Sequence, residues 1–319
     1  MEDFWHTLPK PFFIQAPMED VTDAAFRRLI AQHSSPDVPR VMYTEFTSAD
    51  GLILAPEDGK VKLLKKLLYD EAERPIVAQL FTSSPERMEA AARLCAELGF
   101  DGFDINMGCP DKAVEKSGCG AALIKNPSLA RELIRAAKKS GLPVSVKTRI
   151  GYNKDELDTW LSELLAEEPA LVTLHARTRK EMSDVPARWD AVARAVAIRD
   201  SLGSKTLIAG NGDVKDLNDA RAKAAETKCD GVMLGRAVFG NPWLFSDRTE
   251  LPAPQERISA LIEHLTLFDE LLGDSVNYAT MKKHFKAYIS GWDGAKELRV
   301  KLMETNTADE AKFILGGNS

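Results

Sequence analysis

Three residues of this chain are best typed for chemistry: a cysteine in DINMGCPDKAVEKSGCGAAL, a lysine near the end of VSVKT and a histidine closing ALVTLH. Cys109 follows a short apolar run and precedes a proline, so the chain leaves regular structure there and the thiol falls in a loop. A lone thiol near Lys112 and Lys147 is suited to exchanging a proton with a substrate. Cys95 and Cys229 read as small buried residues, and Cys119 is open to either reading. Lys147 ends an otherwise apolar strand, where it holds negative charge on an electron-rich ring, forms a Schiff base with a carbonyl, or snorkels to the surface. His175 binds a substrate or cofactor oxygen, binds a metal, or is a satisfied core histidine. No carboxylate cluster accompanies it, so metal is the weakest reading and none is expected.

Two further segments are typed for an anion. Asn211-Gly212-Asp213 and Gly235-Arg236 are glycine-containing turns, each after an apolar run and before a helical stretch. Backbone N–H groups at such turns hold phosphate, and Arg236 adds charge. Either turn alone reads equally well as a chain reversal, whereas the pair favours phosphate.

These residues need a frame that brings them together. Short β-rich runs recur at about 12–16, 41–46, 75–81, 102–106, 143–148, 170–175, 205–210 and 230–235, with amphipathic stretches between them. The stretch 85–98 is a helix with Ser84 as N-cap, Pro85 at its first position and Gly99 past its end. Strands apolar on both faces suit a parallel sheet covered by helices, and eight repeats in about 240 residues match a closed (β/α)8 barrel of the TIM type. An open doubly wound sheet is the alternative. In a barrel the site gathers at the C-terminal ends of the strands, which is where Pro17, Met18, Gln79, Asn106, Cys109, Lys147, Arg149, His175 and Arg177 stand, together with the two turns. Around 246–256 the pattern breaks at prolines and polar residues, so residues 1–246 form the barrel and 247–319 a small all-helical domain. Helices are expected there over 255–272, over 275–290 and from about Gly294, with a frayed GGNS end.

Composition fits a globular chain of 319 residues, 44% hydrophobic and 28% charged. Four scattered cysteines without a C-x-x-C pair exclude a disulfide framework and a zinc motif. No apolar run is long enough to span a bilayer, and the opening MEDFWHTLPK is unlike a signal peptide, so the expectation is a cytoplasmic monomer with no membrane partner. The net charge of −6 weighs against a nucleic-acid protein, but charge is segregated: from Asn277 to Lys301 six basic residues face two acidic ones.

With these segments in hand, the sequence resembles the tRNA-dihydrouridine synthases, FMN-dependent reductases. APMEDVTDAAFR, QLF, DGFDINMGCPDKAVEKSGCGAAL, VSVKTRIG, TLHARTR, IAGNGDV and GVMLGRAVFGNPWLF carry the likeness over about residues 12–246, and KKHFKAYI carries it into the tail. The resemblance implies that Pro17, Met18, Glu19 and Gln79 contact the flavin ring, Lys147 its pyrimidine edge and His175 the cofactor. It implies that Asn211, Gly212, Asp213, Gly235 and Arg236 hold the ribityl chain and phosphate. Cys109 would be the proton donor, with Asn106, Arg149 and Arg177 on the substrate side. NADPH would supply the electrons and tRNA the uridine. Lys112, Lys116, Arg179 and Lys180 on barrel loops, with Lys282, Lys283, Lys286 and Arg299 on the tail, would meet the RNA. Three departures stand out: Glu19 replaces a small residue, Ala176 replaces a glycine, and EMSDVPARWD reaches its tryptophan without one. The competing functions are a flavin barrel acting on a small molecule, which would not need the tail, and an RNA-binding protein with a structural flavin.

Overall fold

The apolar runs pair in parallel and in chain order, and the sheet they form closes on itself. The computed structural model describes residues 3–246, 248, 250 and 252–316. Its barrel strands are β1 (Phe12–Gln15), β2 (Arg40–Tyr43), β3 (Ile76–Phe81), β4 (Gly102–Met107), β5 (Val144–Arg149), β6 (Leu171–His175), β7 (Leu207–Asn211) and β8 (Gly231–Leu234). Each bonds to the next, and β8 returns to β1 with Phe12 opposite Gly231 and Gln15 opposite Leu234. The (β/α)8 barrel is therefore present, and the doubly wound sheet, which keeps two open edges, is not.

The strand expected over 41–46 stops at Tyr43. The Thr44 hydroxyl accepts from the Gln79 N–H at 3.1 Å, the Glu45 carboxylate accepts from the Asp20 N–H at 2.5 Å, and pairing resumes only at Thr47–Ser48 beside Leu80 and Phe81. The irregularity swings Glu45 toward the loop after β1.

Side chains alternate along each strand, so one face of every strand fills the barrel. Ile14, Val41, Tyr43, Val77, Leu171, Leu207, Ala209 and Met233 pack its interior. The short helix Phe4–Thr7 closes the end away from the strand C-termini: Trp5 is fully buried, its ring 5.5 Å from Phe12 and 6.4 Å from Tyr43. The opening segment, read from sequence only as unlike a signal peptide, is a plug. On the outer face, helix Pro85–Glu97 starts and stops as its sequence requires, with the Ser84 hydroxyl accepting from the Arg87 N–H at 3.3 Å and Gly99 at φ +81°.

The tail is helical. Helix Pro254–Leu272 appears as expected, burying Ile258, Leu261, Leu265, Phe268 and Leu272. The helix expected over 275–290 is broken: Asn277 is extended and accepts from the Ala279 N–H, giving a turn at Tyr278–Thr280 and a shorter helix, Lys282–Tyr288. Helix Ala295–Glu304 begins after Gly294, and an unexpected helix, Ala308–Gly316, follows. Asp247, Thr249 and Leu251 of the linker stretch and Gly317–Ser319 of the GGNS end lie outside the described residues. Helix Pro254–Leu272 packs along barrel helix Ala24–His33, and the apolar side chains of both belong to one continuous core. Among the described residues no helix is long and apolar enough to cross a membrane.

Candidate active site

The strand ends converge on a cleft of about 680 Å³. Pro17 and Met18 after β1, Lys147 of β5, His175 of β6, Asn211–Asp213 after β7 and Gly235–Arg236 after β8 all line it. Register explains the meeting: Lys147 lies opposite Asn106 and Thr173, and His175 opposite Arg149 and Asn211, so the inward positions stack in layers.

The charge in this cleft is predominantly positive. The Lys147 ammonium has no accepting partner among the described residues, and burial, reinforced by Arg149, lowers its pKa to about 8. Burial and the neighbouring cations hold His175 neutral, well below the usual imidazole range. Asp213 is the counterweight: one carboxylate oxygen accepts from Arg177 Nη2 at 2.5 Å and from the Ala187 N–H at 2.8 Å, and the other pairs with Arg236. The Arg177 hydrogen bond holds the Asp213 carboxyl below its ordinary range. Gly212 sits at φ +126°, where a Cβ would stand 2.7 Å from Ala187, so only glycine fits this turn. Trp189 fixes the same turn by donating from Nε1 to the Gly212 carbonyl at 2.9 Å. The N–H groups of Gly235, Arg236 and Ala237 donate to nothing among the described residues and are free for an anion.

Cys109 stands beside this cleft, partly exposed, near enough to Lys147 and Arg149 for their charges to act on it. Burial is the larger effect and pushes the thiol above its ordinary value, so the sulfur keeps its proton at neutral pH. Two side chains secure its loop. Asn106 Oδ1 accepts from the N–H groups of Gly108 and Cys109 at 3.1 and 2.9 Å, and Arg149 Nε donates to the Gly108 carbonyl at 2.8 Å.

The profile described as dihydrouridine synthase (Dus) matches residues 14–316. The chain belongs to the dihydrouridine synthase family. It is 41% identical over 316 residues to the probable tRNA-dihydrouridine synthase 2 of Bacillus subtilis (strain 168), covering 98% of this chain and 96% of that one. It is 40% identical over 316 residues to the probable tRNA-dihydrouridine synthase of Staphylococcus aureus (strain COL), covering 98% and 95%. Among solved structures it superposes on histamine dehydrogenase from Rhizobium sp. 4-9 with a TM-score of 0.52 at 14% identity, covering 80% of this chain and 48% of that one. A second match, 6-hydroxypseudooxynicotine amine oxidase from Pseudomonas geniculata N1, gives a TM-score of 0.54 at 12% identity, covering 89% and 53%. The chain spans about half the length of these two solved proteins, and the likeness shows the shared barrel fold.

Membership makes this chain a flavin-dependent oxidoreductase, and the cleft fits such a group. The unpaired Lys147 ammonium, the free N–H groups at Gly235–Ala237 and the Arg236 guanidinium are an anion's complement. Not every expected residue is in the cleft. Glu19 turns to Lys66 and lines a neighbouring hollow, so the departure at this position is an ion pair outside the cleft. Gln79 is fully buried in the barrel interior. Arg149, expected on the substrate side, is 5% exposed and does not line the cleft, whereas Arg177, expected there too, does line it although only 3% exposed. Arg149 also donates to the Thr178 and Met182 carbonyls, and Arg177 to the Val185 carbonyl, because both brace the loop after β6. Within that loop Met182 takes φ +52°.

The basic residues expected to meet RNA also divide. Lys112, Lys116, Lys180 and Lys286 are exposed, whereas Arg179 pairs with Glu115 and Arg299 donates to the Ile289 carbonyl. Lys282 donates to the Met303 carbonyl at 2.8 Å, and Lys283 pairs with Asp20, two residues past Met18, at 2.7 Å. Asp104, Ser145 and Tyr43, which form a buried polar file behind Cys109, had no sequence signal beyond their inward register in β4, β5 and β2.

Proposed function

We propose that this protein reduces the C5–C6 double bond of uridines in tRNA, with FMN as its flavin and NADPH as electron donor, in the cytoplasm where tRNA is modified. The observation that carries the reading is the pairing of a protonated, partly exposed Cys109 with the unpaired Lys147 beside one anion-complementary cleft. When bound, FMN supplies the hydride that adds to uracil C6. Cys109 then donates its proton at C5, a step that general-acid catalysis accelerates by about 10² to 10⁴. Lys147 would place positive charge at the flavin's pyrimidine edge, and Arg236 with the Gly235–Ala237 N–H groups would hold its phosphate. A target base within folded RNA must leave its stack to reach the cleft, at a cost of a few kcal/mol offset by contacts elsewhere on the RNA. Exposed Lys112, Lys116, Lys180 and Lys286 supply such contacts. The barrel, residues 1–246, carries the chemistry and the helical tail, 247–319, the grip on RNA.

Mass mapping of dihydrouridine in tRNA from cells with and without this protein tests the reading, followed by reconstitution with FMN and NADPH. Uridine positions that lose 2 Da in the deletion strain and regain them in vitro support it. Unchanged tRNA mass with intact RNA binding would mean a binding protein, and turnover of free pyrimidine alone would mean a small-molecule reductase.

A further inference from the structure

Behind the Cys109 loop, a file of polar side chains crosses the barrel interior with its donors and acceptors matched. Asp104 is fully buried and accepts at both oxygens, from Ser145 Oγ at 2.5 Å and from Gln79 Nε2 at 2.7 Å. The other end of the Gln79 amide, Oε1, accepts from Asn106 Nδ2 at 3.0 Å. The other end of the Asn106 amide, Oδ1, accepts from the N–H groups of Gly108 and Cys109.

An amide has one donating and one accepting end, whereas a carboxylate only accepts. The carboxylate at the foot of this file therefore fixes the direction of both amides. If Gln79 were turned round, its Oε1 would face Asp104 and its Nε2 would face Asn106. Asn106 would then present its NH₂ to two backbone N–H groups, donor against donor. Those N–H groups cannot reverse, so foot and head of the file agree in one direction only. We infer that Asp104 is a positioning residue for proton donation, setting the polarity of the Gln79–Asn106 file and so holding the turn that presents the Cys109 thiol. The inference rests on the reading of Cys109 as the proton donor.

Asp104→Asn tests it by keeping shape and removing the foot's hold on direction, since asparagine offers either end to Gln79, the Ser145 hydroxyl adapts to both, and only the two backbone N–H groups then orient the file. The kcat for uridine reduction should fall by about 10- to 100-fold at unchanged KM for tRNA, as expected when a reacting group is misplaced by an ångström or less. Alkylation of Cys109 by iodoacetamide, read by mass spectrometry against buried Cys95, Cys119 and Cys229, should change several-fold in rate as the turn loosens. The second variant exchanges the two groups, D104N with N106D. Its carboxylate at the loop end accepts from both N–H groups and from Gln79 Nε2, while Gln79 Oε1 accepts from the amide now at the foot. The file is again complete, reversed in direction and unchanged in total charge. The exchange variant should therefore return Cys109 alkylation to near the wild-type rate, a recovery that packing alone does not predict. Wild-type kcat and alkylation in D104N overturn the inference, as does an exchange variant whose alkylation stays far from wild type. If D104N does not fold, the exchange variant decides by itself. A wild-type protein unable to reduce uridine overturns the functional reading instead, and the alkylation comparison still reports on the file.

Discussion

Gly120 lies directly against Cys109: a Cβ at Gly120 would stand 2.6 Å from the Cys109 carbonyl oxygen, at a φ of +60°. That carbonyl also accepts from the Ala121 N–H at 2.9 Å, so the turn after Gly118 is folded onto the loop that holds the thiol. Gly120→Ala has to move one of the two, and it should cut uridine reduction at least about ten-fold while FMN content stays that of the wild type. Steady-state rates beside the flavin absorbance of the purified protein check this. Full activity in the variant would mean the loop tolerates the shift.

Cys109→Ala should lose about 10² to 10⁴ of its rate on tRNA, yet still accept electrons from NADPH at the flavin. Cys119→Ala should lose little, because that thiol is 1% exposed and donates to the Ser117 carbonyl inside its own turn. Since burial raises the Cys109 pKa, the donating form persists through neutral pH and its loss should lower the wild-type rate on the alkaline side. Stopped-flow reduction of the flavin followed by single-turnover oxidation with tRNA separates the two steps. Equal losses in both variants would move the acid elsewhere.

Among the described residues Arg236 is held in place only by Asp213, with its side chain 70% exposed. Arg236→Ala should weaken FMN binding about ten-fold, the order expected for one charge-assisted hydrogen bond. Fluorescence titration of the apoprotein measures it. A dissociation constant within two-fold of wild type would leave the phosphate to the backbone N–H groups alone.

Of the three lysines on helix Lys282–Tyr288, Lys282 is tied to the Met303 carbonyl and Lys283 to Asp20, which leaves Lys286 exposed and unpaired among the described residues. Lys286→Glu should therefore weaken tRNA binding and lower the magnitude of its salt slope by ~0.7 to 0.9 or more. NADPH oxidation by the flavin should be unchanged. Binding measured from low to moderate salt decides it, and a wild-type slope would show that the RNA is held elsewhere.

His264 and His284 are fully buried between barrel and tail, where His264 stacks on Phe26 at 4.9 Å and both ring nitrogens of His284 lack partners. Burial lowers His284 to about 3, so the unfolded chain binds its proton first and stability is lost as pH falls from about 6.5 toward 3. Asp23 and Asp104 at about 6 and Glu45 at about 7 are raised by burial and act in the opposite sense, their stabilisation being lost as pH rises. A difference experiment isolates the histidine. His284→Leu should gain on the wild type by up to about 1.4 kcal/mol per pH unit as pH is lowered through that window in urea unfolding. A gap independent of pH would rule out the imidazole as its source.

The barrel was legible because parallel strands buried on both faces leave uninterrupted apolar runs, and because inward residues at strand ends carry unusual types. Lys147, His175, Asn211 and Arg236 could thus be placed around one mouth before any coordinates. What the sequence hid is the company each side chain keeps. Arg149 and Arg177 look like substrate contacts by type, yet both are bound to carbonyls of the loop after β6, a loop with no periodicity to announce it. Lys282, Lys283 and Lys286 look alike on a helix, and only packing against Met303 and Asp20 tells them apart. The buried file from Asp104 to Cys109 joins neighbouring strands, where pairwise register is invisible to a linear pattern.

Because Ile258, Leu261, Leu265 and Phe268 of the tail share one core with Phe26, Leu29 and Ile30 of the first barrel helix, the two parts are thermodynamically a single object. A break in the chain at the sequence boundary would leave both halves with an uncovered apolar face, so the tail cannot be exchanged among relatives as an independent cassette. The tail and the barrel mouth it backs are therefore inherited together, and a substitution at their shared seam alters the stability of both at once.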